Sequence, residues 1–100
     1  MKRTSEAPMA GRTALITGST GGIGKATALG LAALGAHVLI TGRDRRRTKA
    51  AAREISTAGG QVDVFVADLS SQSEVRRLAD EVLGSCPRID VLVNLSLIHI

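Results

Sequence analysis

Eight consecutive residues, Thr17-Gly18-Ser19-Thr20-Gly21-Gly22-Ile23-Gly24, carry the clearest chemical signal in this sequence. A glycine at 18 lets the chain turn sharply after a strand. Gly22 lets the backbone approach a pyrophosphate, and Gly24 allows a helix to pack closely on that strand. Free N–H groups at the start of the helix, together with its macrodipole, then favour an anion. Ser19, Thr20 and Ile23 sit among these glycines and count with them as candidate contacts. The plainer reading is a Gly-rich turn without a ligand, and the apolar strand before it and helical period after it weigh against that. A P-loop is excluded because Gly24-Lys25 is followed by Ala26, not by Ser or Thr.

Two more positions bear on what the loop would hold. A second apolar run, His37 to Thr41, is followed by Gly42 and Arg43. Sites that prefer NAD place an Asp or Glu at that point to accept hydrogen bonds from the adenosine ribose. Gly42 cannot do so, whereas the Arg43 guanidinium can grip a 2′-phosphate with two bonds and lie over an adenine face. NADP is therefore the expected cofactor, ahead of NAD. Arg45, Arg46 and Arg47 follow, either as a steering patch for phosphate or as a solvated basic face with Asp44 as N-cap. Asp68, after a third apolar run, is expected at the same crevice, although Asp also favours plain turns. His37 has no second ligand at metal-binding spacing, Cys86 reads as a loop thiol, and no Ser/His/Asp or Cys/His set can be assembled around two histidines.

These residues need a scaffold that brings strand ends together. From Thr13 onward the sequence alternates short apolar runs with helical periods, the pattern of a parallel α/β sheet. Strands are expected over Thr13 to Thr17, His37 to Thr41, Val62 to Ala67 and Ile89 to Val93. The first helix presents Ile23, Ala26, Thr27, Gly30, Leu31 and Leu34 at helical spacing, with Gly35 at its end. The second runs from Arg45 to about Thr57. The third opens on a Ser71/Glu74 capping box and turns Val75, Leu78, Ala79 and Val82 inward. Right-handed crossovers put the four strands in the order 3-2-1-4 with three helices, a partial doubly wound parallel sheet or Rossmann fold. Its winding reverses between strands 1 and 4, where such folds bind ligands at the carboxyl ends of the strands.

Composition bounds the rest. One hundred residues with 44% apolar and 22% charged side chains make a single small globular domain at most. A net charge of +4 suits an anionic ligand, and with Phe65 the one aromatic residue, base-stacking platforms for nucleic acid are absent. Neither a signal peptide nor a membrane span is legible, and one cysteine asks for no oxidising compartment, so a cytoplasmic location without membrane partners is the expectation. Residues 1–11 read as a flexible lead, and residues 12–94 as an incomplete dinucleotide-binding domain.

Thr17 to Gly24 resembles the Thr-Gly-x-x-x-Gly-Ile-Gly loop of the short-chain dehydrogenase/reductase family. Two further segments agree. Asp68-Leu69 matches the point where that family contacts the adenine, and Ile89-Asp90-Val91-Leu92-Val93-Asn94 is similar to the approach to its Asn-Asn-Ala-Gly segment. Lys25, Gly42-Arg43-Asp44 and Asp68-Leu69-Ser70 look most like the branch of retinol dehydrogenases and protochlorophyllide reductases. The resemblance implies a cofactor site comprising Gly18, Ser19, Thr20, Gly22, Ile23, Gly24, Arg43, Asp68, Leu69 and Asn94. It also implies hydride transfer between nicotinamide and a small carbonyl or alcohol substrate, and it leaves homo-oligomerisation of the parent protein open.

The family's catalytic Tyr, the Lys a few positions beyond it and the Ser that polarises the substrate oxygen have no counterpart, since the chain contains no Tyr. The similarity stops after Asn94. Leu95-Ser96-Leu97-Ile98-His99-Ile100 instead reads like the translation of a sequencing-library transposase adapter, which makes residues 95–100 an expected artefactual tail on a gene fragment. The expected protein is thus the cofactor-binding fragment of an NADP-dependent oxidoreductase, with a non-catalytic dinucleotide-binding or regulatory module as the alternative.

Overall fold

The computed structural model describes residues 8–17, 22–85 and 88–94, with Asn94 described by its backbone. The elements follow the order β1 (Thr13–Thr17), α1 (Gly22–Ala33), β2 (His37–Gly42), α2 (Arg45–Thr57), β3 (Gln61–Val66), α3 (Gln72–Ser85) and β4 (Val91–Asn94). The sheet order is β3-β2-β1-β4 with every pairing parallel, as the alternating pattern requires. Strand ends differ from the sequence expectation by one or two residues, and α1 begins at Gly22 itself.

Each face of the sheet has its own apolar cluster because side chains alternate along a strand. Ile16, Val38 and Ile40 meet Ala28 of α1 with Ala51 and Ile55 of α2 on one face. Leu39 and Ala67 meet Leu78 and Val82 of α3 on the other. Full burial of side chains such as Ile16, Ile40 and Ile55 contributes about 1.5–3 kcal/mol each.

Three helix details depart from the sequence reading. In α1 the buried positions are Gly24 and Ala28, while Ile23, and Leu34 just past the helix end, are exposed. Thr13 to Gly42 is apolar enough that the phase of α1 is undetermined by hydrophobicity, and the two small residues win because they let the helix approach the sheet. In α3 only Leu78 and Val82 are buried, whereas Val75 and Ala79 are exposed. The helix docks beside Leu39 and Phe65, toward β2 and β3, so its other flank is left uncovered. The capping box is half formed. Ser71 Oγ accepts the Glu74 N–H at 3.4 Å, but the Glu74 carboxylate turns to Arg77 and to the Asp68 N–H instead of returning to Ser71.

The α2–β3 connection passes close to α1 at Gly60. A Cβ there would lie 2.7 Å from Ala32 Cβ and 3.0 Å from Ile55 Cγ2. Ala32 has no rotamer with which to retreat, so Gly60→Ala should cost about 1–3 kcal/mol of overpacking. A thermal midpoint equal to that of the native protein would contradict this.

At the opposite end from the glycine loop, Asp90 locks β4 to β1. Its Oδ2 accepts the Thr13 N–H at 2.8 Å, its own N–H donates to Thr13 O at 2.9 Å, and Oδ1 accepts from Arg88 at 3.0 Å with Arg12 at 3.6 Å. The Thr13 N–H first, and then the two guanidinium groups, hold this carboxyl below the usual aspartate range. A carboxyl whose folded pKa is depressed stabilises the fold above its unfolded pKa, and that contribution is lost as pH falls through the folded value. Acid should therefore loosen the β1–β4 pairing below about pH 4. The fall in thermal midpoint through this window should be shallower for Asp90→Asn, and parallel profiles would refute the assignment.

Candidate functional site

Parallel pairing puts the carboxyl ends of all four strands along one margin of the sheet. Thr17 lies opposite Thr41 on one side and Asn94 on the other, and Gly42 lies opposite Val66. The margin therefore reads Val66, Gly42, Thr17, Asn94. The helices after β1 and β2 cover one face and the helix after β3 covers the other, so the connections diverge between β1 and β4. Doubly wound sheets bind ligands in a crevice beside such a point. There Thr17 Oγ1 donates to Val93 O at 3.5 Å between the paired strands.

The glycines fall between the end of β1 and the first turn of α1. Gly18, Ser19, Thr20 and Gly21 lie outside the described residues. Gly22, the first residue of α1, has φ +56°, a conformation that costs an L side chain about 1–2 kcal/mol. Among the described residues, leaving aside its chain neighbours and its own helix backbone, no atom lies within 4 Å of where its Cβ would be. Ile23 is 74% exposed at the same end, and Gly24 is buried against the sheet. An exposed Ile in the first helical turn suits the wall of a ligand site better than a core. Lys25 is engaged elsewhere, with its Nζ 2.9 Å from Glu54 on α2.

On the far side of β1 from β4, the margin continues through β2 and β3. Ala67 N–H donates to Gly42 O at 3.0 Å, so the segments carrying Arg43 and Asp68 leave the sheet tied together. Arg43 is exposed immediately after β2 and is close enough to Asp68 to contribute to lowering its pKa. Asp44 accepts the Arg47 N–H at 3.0 Å and caps α2, as the sequence suggested, with Arg45, Arg46 and Arg47 exposed around it. Thr48 adds a 2.7 Å bond to Asp44 O.

Asp68 follows β3, and its Oδ1 accepts both the N–H and the hydroxyl of Ser70, at 3.0 and 2.6 Å. The Ser70 hydroxyl first, then its N–H, pull the Asp68 carboxyl below the usual range. Leu69, by contrast, packs its side chain on the α3 face with Leu39 and Leu78. Asn94 closes β4 opposite Thr17.

Sequence reasoning passed over Ser70, although Asp-x-Ser is a local pattern in which a carboxylate accepts from two residues on. It also passed over Asp63, whose Oδ2 lies 2.6 Å from His37 Nε2. Among the described residues no cluster of His, Cys, Asp or Glu could hold a metal ion, and no helix is long and apolar enough to cross a membrane. Cys86 and His99 lie outside the described residues.

Comparison with known proteins gives the family. The family model for short chain dehydrogenases matches residues 12–96. Dehydrogenase/reductase SDR family member 13 from Bos taurus is 46% identical over 90 residues, covering 88% of this chain and 24% of that protein. Mouse retinol dehydrogenase 14 is 43% identical over 98 residues, covering 86% and 29%. Among solved structures, the citronellol catabolism dehydrogenase AtuB of Pseudomonas aeruginosa superposes with a TM-score of 0.85 at 38% identity, covering 88% of this chain and 37% of that one. The RhlG/NADP complex from the same species gives 0.83 at 40% identity, covering 89% and 36%. The chain spans about a quarter to a third of the length of the curated relatives it matches.

Proposed function

The chain belongs to the short chain dehydrogenase family, and from that membership we propose that it is the cofactor-binding part of a longer, NADP-dependent, cytoplasmic oxidoreductase acting on a small carbonyl or alcohol. The observation that carries the NADP preference is the end of β2. Gly42 stands where a carboxylate would bind the ribose, and the exposed Arg43 follows it beside Asp68. A neighbour of the same fold is an NADP complex, which supports the reading.

In this reading Gly18, Ser19, Thr20, Gly22, Ile23 and Gly24 hold the pyrophosphate. Arg43 holds the 2′-phosphate, Asp68 and the backbone of Leu69 flank the adenine, and Asn94 borders the nicotinamide end. The nicotinamide supplies hydride transfer when bound. This chain's residues bind and orient it, and the proton donor comes from sequence beyond Asn94, because the 100 residues hold no Tyr. Residues 95–100 are then a tail foreign to the gene.

The test is to sequence the source gene past Asn94, express the whole protein and measure carbonyl reduction with NADPH and NADH. We expect a Tyr-x-x-x-Lys downstream and turnover that favours NADPH. A stop codon after Ile100, or a full-length protein that binds no dinucleotide, would overturn the proposal.

A further inference from the structure

Asp68 does not hold its own orientation. The terminal torsion of an aspartate is broad and permits either carboxylate oxygen to face a ligand. Here two donors from one residue, the Ser70 N–H and hydroxyl, converge on Oδ1 at 3.0 and 2.6 Å. The shorter bond has the length of a charge-assisted O–H···O⁻ contact. With Oδ1 engaged twice, the carboxylate plane is set, and Oδ2 is the oxygen presented to an outside donor. The loop is framed from the other side by Ser71 N–H on Asp68 O at 3.1 Å and Glu74 Oε1 near the Asp68 N–H at 3.4 Å, so the backbone of Asp68 is fixed independently of Ser70.

We infer that Ser70 is a positioning residue that fixes Asp68 as an acceptor for the exocyclic amino group of an adenine ring, and that the pair makes this site select a 6-amino over a 6-oxo purine. The inference rests on the dinucleotide reading of the crevice. An ionised carboxylate can only accept hydrogen bonds. Adenine offers an N–H donor at C6, whereas hypoxanthine offers a carbonyl oxygen, which would face Asp68 acceptor to acceptor. The same Ser70 donors that orient the carboxylate also lower its pKa, with the Arg43 guanidinium assisting. A Ser70 that merely shaped the turn would need only its backbone N–H, which every substitution short of proline retains.

The test compares NADP with its hypoxanthine analogue, by equilibrium titration of the full-length protein and its variants. The native protein should favour adenine by about tenfold or more, the loss expected when a charge-assisted bond gives way to facing acceptors. Asp68→Ala should remove that preference. Ser70→Ala should cut it to about threefold or less while the thermal midpoint stays unchanged, and Ser70→Thr should retain it. Should Ser70→Ala fail to fold, Ser70→Val against Ser70→Thr repeats the comparison at matched volume. If the native protein binds both analogues equally, or binds neither, the adenine reading itself falls and the inference with it. If Asp68→Ala loses the preference but Ser70→Ala or Ser70→Val keeps it, the role of Ser70 alone is overturned.

Discussion

Gly22→Val should weaken dinucleotide binding by about a hundredfold or more, equivalent to about 2.7 kcal/mol. Two effects combine. The residue sits at φ +56°, where a β-branched side chain is strained. Among the described residues beyond its chain neighbours and its own helix, no atom lies within 4 Å of its Cβ position, and in the proposed complex that space belongs to the pyrophosphate. Strain and ligand exclusion can be separated. Gly22→Asn provides the separation, since Asn tolerates the left-handed region far better than Val but still fills the space. Asn should therefore lose binding with little loss of thermal stability, and Val should lose both. Native affinity in either folded variant would mean that the loop is only a turn.

Arg43→Ala should lower affinity for NADP by about 1.5–3 kcal/mol and leave affinity for NAD nearly unchanged. The selectivity is the informative part. The Arg43 side chain is exposed at the end of β2, so its removal leaves no buried group unsatisfied and should not disturb the sheet. Titration with both nucleotides at one salt concentration is the check, because a surface guanidinium also attracts any polyanion in a way that salt screens. Equal losses for NADP and NAD would show that Arg43 contributes general attraction and does not read the 2′-phosphate.

The parts legible in the sequence are those determined by local pattern. Alternating apolar runs and helical periods gave four parallel strands, and the handedness of crossovers gave the order β3-β2-β1-β4. Asp44 as the cap of α2 followed from residue type and place alone. What pattern could not supply was the phase of helices with weak contrast. Gly24 and Ala28 face the sheet in α1 because of their size, which a hydrophobic period does not register. Apolar character alone points Val75 and Ala79 inward, but α3 reaches only part of the sheet. Bonds between distant residues were equally hidden. The Asp90 contact to Thr13 spans 77 residues, and nothing near Asp90 in the sequence points to it. Arg43 and Asp68 follow neighbouring strand ends, whereas Leu69 packs its side chain with Leu39 and Leu78.

The order of the strands also sets the order in which the crevice can come into being. β1 meets β2, and β2 meets β3, across separations of roughly two dozen residues, but β1 meets β4 only when Asp90 finds Thr13, 77 residues away. Loop-closure entropy rises by about 0.6 kcal/mol for each doubling of length, so the last pairing starts about 1 kcal/mol behind the others. Long-range parallel pairings are also the slow ones to form. The β3-β2-β1 half can therefore assemble with its two helices while the nucleotide loop still lacks its opposite wall. In hydrogen exchange, the amides of β4 should open before those of β2, whose Val38, Leu39, Ile40 and Thr41 are fully buried. Each such opening removes one side of the crevice, and a bound dinucleotide that spans both sides would hold β4 in place.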